Sequence, residues 1–145
     1  SVSLLTFATA CCHSDCPQNT ITDTNTTFSI IASQQPSMIN WDTIAVQHIK
    51  NFKGGEKELI AQIYDDGPTR ILYGTLPSGA SVGTHTHTGS CEVVMVTNGK
   101  GLIIYDGDTI NVQAGQVHYC GEGHSHSIIN NSDTDISVMN VITTL

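Results

Sequence analysis

The chain has 145 residues, of which 39% are apolar and 12% charged, and its 13 acidic against 5 basic residues give a net charge of −8. One hydrophobic core is expected at this length. The acidic balance argues against nucleic acids and anionic membranes as partners, because both bind to basic surfaces, and it favours small molecules or metal ions.

Residues 1–36 are predicted to form a polar extension, either an arm or a partly disordered segment, because Ser, Thr, Asn, Asp and Gln dominate their second half. They also carry part of a zinc-like motif: Cys11, Cys12, His13 and Cys16. This motif lacks a second ligand pair, so its role stays open. The five cysteines of the chain are odd in number and irregularly spaced, which indicates a reducing compartment, and a cytoplasmic location is expected. The apolar residues 1–10 leave export open.

Residues 37–145 are predicted to form one β-domain. Its first segment, 37–49, is apolar enough to rest on a core, but its pattern fits either a strand or a helical turn. From residue 58 onward, short apolar runs alternate with turn sequences, among them Asn98-Gly99 and Asp106-Gly107, which suit tight hairpins. Short strands separated by regularly spaced turns predict a sandwich or closed barrel, and therefore an all-β fold.

The stretch GTHTHTGSCE, residues 83–92, contains His85 and His87 one residue apart and Glu92 five residues further on. On a strand, residues at i and i+2 share one face with Cα atoms about 6.6 Å apart, so both imidazoles can bind one ion. The intervening turn can return Glu92 to the same centre, where a carboxylate offsets the charge of a divalent cation. The alternative is a polar, solvent-facing strand. The apolar run after Glu92 weighs against that alternative, because a buried carboxylate needs a metal or a partner.

Two stretches resemble the two sequence motifs of the cupin superfamily. Residues 79–99 match the first motif, G-x5-H-x-H-x(3,4)-E-x6-G, at every fixed position. Residues 115–130 are similar to the second motif, G-x5-P-x-G-x2-H-x3-N, except that Gly121 stands where the family has proline. The resemblance implies a single cupin barrel, a double-stranded β-helix or jelly roll, over residues 37–145.

The same resemblance implies a metal site of three histidines and one glutamate. His118, His124 and His126 compete for the last position, and the spacing to Gly123 and Asn130 in the second motif selects His126. The implied ligands are His85, His87, Glu92 and His126. They would hold one divalent transition metal ion per chain, and Fe, Mn, Ni, Co, Cu and Zn all suit such a ligand set. His118 is left open between a supporting position beside the site and an outward-facing position.

Four protein ligands leave one or two coordination positions open, as in catalytic metal sites. Cupins similar to this chain include dioxygenases, isomerases, lyases and decarboxylases, and also modules that bind without catalysis. We therefore expect a metal-dependent enzyme that acts on a small organic metabolite, with dioxygenases as the leading class. The alternative is a metal-bearing module that binds or senses a small ligand.

Strand alternation extends these expectations to a pocket and an interface. Counting by twos from the ligands places Val94, Val96 and Ile128 on the ligand face, as residues of a substrate pocket. Val93 and Met95 then face outward, where they would form an exposed apolar patch on a lone barrel. A second copy of the chain would cover that patch, so a homodimer is expected, as is typical of small cupins.

Overall fold

The computed structural model describes residues 38–145, which form ten strands and two short 3-10 helices. The strands are β1 (Gln47–Lys50), β2 (Glu58–Asp65), β3 (Thr69–Leu76), β4 (Ser81–Thr86), β5 (Ser90–Asn98), β6 (Lys100–Tyr105), β7 (Asp108–Gln113), β8 (Val117–Cys120), β9 (Ser125–Ile129) and β10 (Ile136–Thr144). The predicted all-β fold is thereby confirmed. The predicted extension over residues 1–36, with its cysteines, lies outside the described residues.

The segment whose pattern was ambiguous contains both kinds of structure. A 3-10 helix spans Trp41–Thr43, capped by the side chain of Asn40, and strand β1 follows it. The second 3-10 helix, Phe52–Gly54, connects β1 to β2. Neither of these helices, which are the ones found in residues 38–145, has the length and hydropathy needed to cross a membrane.

The strands form two antiparallel sheets with the crossovers of a jelly roll. The six-stranded sheet has the order β1-β2-β3-β10-β5-β8, and the four-stranded sheet has the order β4-β9-β6-β7. Strand β10 returns to lie between β3 and β5, and β9 returns to lie between β4 and β6. Such non-consecutive neighbours are the mark of Greek-key connections in a double-sheet β-fold.

The core lies between the sheets, and strand β5 shows the predicted alternation. Val94 and Val96 are 0% and 2% exposed, whereas Val93 and Met95 are 38% and 39% exposed on the outer face. Both sheets contribute the other large core residues: Leu59, Leu72, Leu76, Val82, Ile103, Val112, Ile128, Ile136 and Val138. Burying one such aliphatic side chain stabilises the fold by about 1.5–3 kcal/mol, so this core holds the two sheets together.

The hairpin predicted at Asp106-Gly107 joins β6 to β7. Both residues have positive φ, 48° and 94°, as a type I′ turn requires. At the neighbouring connection, Gly99 has a φ of 80°, and a Cβ atom there would lie 2.4 Å from the carbonyl oxygen of Asp135. Only glycine fits that position, which explains the Asn-Gly sequence between β5 and β6.

Pairing of strands brings the histidines of the two sequence motifs together. On the antiparallel pair β4 and β9, His85 lies directly opposite His126. Just beyond the end of β4, the backbone N–H of His87 donates to the carbonyl of His124. Glu92 reaches the same place from β5, a strand of the other sheet. The four side chains therefore meet between the two sheets.

Candidate metal centre

Four ligand-type side chains converge inside the barrel. One donor atom from each of His85, His87, Glu92 and His126 lies within 4.8 Å of every other. His87, Glu92 and His126 are buried, at 6%, 3% and 1% exposure, and His85 is half-buried beside a cavity. The residues that the sequence motifs single out thus occupy one place in the fold.

The spacing of these donor atoms fits a single metal ion. Nε2 of His126 lies 3.1 Å from Nε2 of His87 and 3.2 Å from Nε2 of His85. Oε2 of Glu92 lies 2.9 Å from Nε2 of both His87 and His126, and 3.8 Å from Nε2 of His85. Adjacent ligands at right angles, each about 2.1 Å from an ion, are separated by about 3.0 Å.

Contacts to the Nδ1 atoms orient the three histidines, so that their Nε2 atoms face one another. Nδ1 of His85 lies 3.0 Å from the carbonyl oxygen of Gly83, which can only accept, so Nδ1 carries a proton. In the neutral ring, Nε2 of His85 then presents a lone pair to the cluster. Nδ1 of His87 is held in a similar way by the hydroxyl of Ser90, at 3.1 Å. Outer partners of this kind set the tautomer of a metal-binding histidine.

The glutamate is held by an asparagine from β10. Nδ2 of Asn140 donates to Oε1 of Glu92 over 2.5 Å, which leaves Oε2 for the centre of the cluster. Because the ionised carboxylate can only accept, the amide nitrogen must face Glu92, and the amide oxygen then faces away. That Oδ1 atom is buried without a hydrogen-bond partner. An unpaired buried acceptor costs about 1–3 kcal/mol, so this orientation is maintained against a penalty.

The charges of the cluster depend on one another. Burial alone would raise the pKa of Glu92, but interactions with His126, His85 and Asn140 outweigh it and hold that pKa well below its ordinary value. The carboxylate in turn raises the pKa of His85, whereas burial lowers the pKa of His87. The contact between Glu92 and His85 thus lowers the pKa of the carboxyl group and raises the pKa of the imidazole.

The structure separates the three histidines that competed for the last ligand position. His126 is in the cluster, whereas His124 is exposed and pairs with Asp106 through Nδ1, 2.5 Å from Oδ2. His118 is half-buried on β8, and its Nε2 lies 3.2 Å from Nδ1 of His126, so it takes the supporting position.

Burial raises the pKa of the neighbouring Cys120 thiol to about 11.

A cavity of about 360 Å³ opens onto the cluster. Of the three predicted pocket residues, Ile128 lines it, whereas Val94 and Val96 are packed in the core and do not. The wall is mainly apolar and comes from both sheets: Phe52, Leu59, Ile63, Leu72, Val82, Val138 and Ile142. Two cationic residues, Lys53 and Arg70, also line it. A more open groove of about 760 Å³ elsewhere on the barrel contains none of the cluster residues.

Sequence reasoning missed the residues that support the cluster and edge the cavity. For Asn140 a signal was present, because an asparagine inside the apolar run ISVMNVI must be buried with a polar partner. Lys53 and Arg70 gave no comparable signal, since they reach the cavity through a 3-10 helix and a strand whose positions depend on the whole barrel.

Comparisons with known proteins agree with this architecture. Residues 72–142 match the family described as "Cupin domain". A relative from Thermotoga maritima named oxalate-binding protein is 32% identical over 105 residues, covering 68% of this chain and 87% of that protein. The crystal structure of a predicted oxalate decarboxylase, also from Thermotoga maritima, has a TM-score of 0.70 at 30% identity and covers 74% of this chain and 99% of that one.

More distant structures share the fold alone. A sugar phosphate isomerase from a cupin superfamily, from Silicibacter pomeroyi, has a TM-score of 0.62 at 19% identity, covering 74% of this chain and 76% of that one. Together with the residue-level match of both motifs, the family match and the relative at 32% identity decide the classification. The chain belongs to the cupin family.

Proposed function

We propose that this protein binds one divalent transition metal ion through His85, His87, Glu92 and His126, and uses it to hold a small organic anion. One observation carries the proposal: four donor atoms converge at ligand spacing in a largely buried place, each side chain fixed by an outer partner. Fe, Mn, Ni, Co, Cu and Zn all suit this ligand set. A bound ion would supply a Lewis acid with one or two open positions.

A carboxylate is the anion that the cavity suits best. Carboxylate oxygens bind directly to divalent metals, and Lys53 and Arg70 at the cavity wall add positive charge for the rest of the molecule. Nε and Nη2 of Arg70 donate to Oδ2 of Asp65, which holds the guanidinium in place and leaves Nη1 for a ligand. The name of the relative, oxalate-binding protein, makes oxalate the first ligand to test.

Binding without turnover is the simpler function for this cavity. Apart from the four cluster residues, the ionisable groups lining it in residues 38–145 are Lys53 and Arg70. Neither a second carboxylic acid nor a tyrosine among the described residues lines the cavity to transfer a proton. Turnover is the second candidate, because open metal positions can also polarise or oxidise a bound substrate. The dioxygenase class stays a prediction.

Metal analysis combined with calorimetry tests the proposal on the full chain. We expect the four-residue cluster to bind one metal equivalent per chain, and oxalate binding to require the metal at that cluster. Replacing Arg70 by Gln removes a charged hydrogen-bond donor worth about 1.5–3 kcal/mol, so oxalate affinity falls about 10–100-fold. Lys100→Gln, which removes a cation outside the cavity, is the matched control. Equal oxalate affinity with and without metal would contradict the proposal, and formate release or oxygen uptake would establish turnover.

The expected homodimer fits the outer face of the six-stranded sheet. Val93 and Met95 lie there beside Val117 and Tyr119 of strand β8, which are 61% and 59% exposed. Together they form an apolar patch that includes β8, the edge strand of the six-stranded sheet within residues 38–145. Light scattering should give a dimer for the wild type and a monomer for Val117→Asp. Ile110→Asp, which alters an exposed apolar residue of the other sheet, should leave the dimer intact.

A further inference from the structure

We propose a second metal site, selective for thiophilic ions, formed by His118, Cys120 and His126 on the far side of the His126 ring from the first cluster. One nitrogen of each imidazole and the sulfur of Cys120 lie within 4.8 Å of one another. The two rings approach most closely at Nε2 of His118 and Nδ1 of His126, which are 3.2 Å apart.

Strand β8 builds this second site by the same alternation that builds the first. His118 and Cys120 are at i and i+2 and face inward, whereas Val117 and Tyr119 between and beside them face outward. In the pairing of β8 with β5, Cys120 lies directly opposite Glu92. The two sites are therefore adjacent, and His126 is the residue that they share.

The donor spacing fits tetrahedral coordination. Two nitrogens bound to one ion at about 2.0–2.1 Å in a tetrahedron are separated by about 3.3 Å. The 3.2 Å between the two imidazole nitrogens matches this separation, and the Cys120 sulfur lies within 4.8 Å of both ligand nitrogens. Since His118 is half-buried, solvent can supply the fourth ligand. Two imidazoles with a thiolate form a softer set than the carboxylate-containing cluster, and they favour Zn(II), Cu(I), Cd(II) or Co(II).

Cys120 is available as a ligand. Its exposure is 0%, and its sulfur has only weak contacts, 3.6 Å from the carbonyl oxygen of His124 and 4.0 Å from that of Gly121. On loading with a divalent ion the charges balance, because the ion displaces the thiol proton of Cys120 and, where Nε2 of His126 binds the first ion, the Nδ1 proton of that ring. Both protons pass to solvent, and the His126 ring then bridges the two ions.

Cobalt(II) titration of a chain with Cys120 as its sole cysteine tests the site. That chain carries C11S, C12S, C16S and C91S, which removes every other cysteine. We expect the metal-free protein to bind two cobalt equivalents, one of them accompanied by a thiolate-to-cobalt charge-transfer band in the near ultraviolet. Adding Cys120→Ser should abolish the band and reduce the stoichiometry to one. His118→Asn should weaken the equivalent that carries the band by at least tenfold.

The test distinguishes failure of this site from failure of the first. His85 belongs to the first cluster only, so His85→Ala should remove the equivalent without the band and keep the band. A single equivalent with no band in the sole-cysteine chain would overturn the second site. A band that His85→Ala abolishes would also overturn it, because Cys120 would then bind the ion of the first cluster. If His85→Ala changes neither the stoichiometry nor the band, the first site fails instead.

Discussion

Histidine and carboxylate side chains meet at three places in residues 38–145, and the buried contact of His87 with Glu92 contrasts most directly with the solvent-exposed contact of His124 with Asp106. His87 and Glu92 approach to 2.9 Å with both side chains almost fully buried. His124 and Asp106 approach even more closely, to 2.5 Å, but half of the histidine and 43% of the aspartate remain exposed. By distance alone, the His124–Asp106 pair would be the stronger candidate for a functional site. Burial instead favours the His87–Glu92 pair.

The difference lies in what surrounds each carboxylate. Asp106 is open to solvent and accepts from the backbone N–H of Ser125 at 2.9 Å, so its charge is already satisfied and its ion pair contributes little. Glu92 has lost its water and faces three imidazoles that share its one inner oxygen. A buried charge of that kind needs a compensating cation. The same residue types therefore form a surface contact in one place and a candidate metal centre in the other.

The largest expected effect is the loss of metal on removal of the buried His126, with removal of the exposed His124 as the comparison. His126→Ala should reduce the metal content to near zero, because it deletes a ligand of the four-residue cluster and of the proposed second site. His124→Ala, only two residues away, should leave the metal content unchanged. Elemental analysis after reconstitution measures both, with circular dichroism to establish that each variant is folded. Equal metal content in the two variants would abolish the distinction between the buried and the exposed histidines.

Metal removal should destabilise the protein by a smaller but measurable amount. At a free metal concentration 1,000 times the dissociation constant, binding contributes about 4 kcal/mol to the free energy of unfolding. For a domain of this size, each kcal/mol shifts Tm by about 2–4 °C, so a chelator should lower Tm by about 8–16 °C. Differential scanning calorimetry measures this shift. A chain carrying His126→Ala should show none, and an equal shift in that variant would point to a metal site that does not use His126.

Sequence patterns were sufficient for the fold and for the cluster, but for different reasons. Alternation in runs such as that of β5 fixes which face of a strand is buried, and it placed Val93 and Met95 outside correctly. The cluster followed from two motifs that each span one short connection between the sheets, from β4 to β5 and from β8 to β9. The pocket residues could not be predicted in the same way. Alternation shows that Val94 and Val96 face inward, but it does not show whether they pack against other core side chains or line a cavity. That depends on how the two sheets pack.

Removing Asn140, the hydrogen-bond partner of Glu92, should have an intermediate effect on metal affinity. Asn140→Leu keeps the branched shape of the side chain but removes the donor to Oε1, so the carboxylate loses its fixed orientation. Metal affinity should fall about 10–100-fold, the usual cost of deleting such a partner. Competition with a chromophoric chelator measures the affinity, and Asn111→Leu, at an exposed asparagine of β7, is the control. An unchanged affinity would mean that the histidines alone orient Glu92.

The smallest effect is expected at the exposed pair, and its pH dependence has a definite sign. The backbone N–H of Ser125 and then the His124 side chain hold the pKa of Asp106 below its ordinary value of 3.8. The carboxylate therefore stabilises the fold above pH 3.8, and this contribution is lost as the pH falls through the lower pKa of the folded state. Asp106→Asn keeps an acceptor for Ser125, so its urea midpoint should lie slightly below that of the wild type at pH 6 and coincide with it near the pKa of the folded state. Its metal content should equal that of the wild type at pH 6. A loss of metal in this variant would show that the surface pair supports the buried cluster through Ser125 and His126, and the contrast between the two places would then be one of degree.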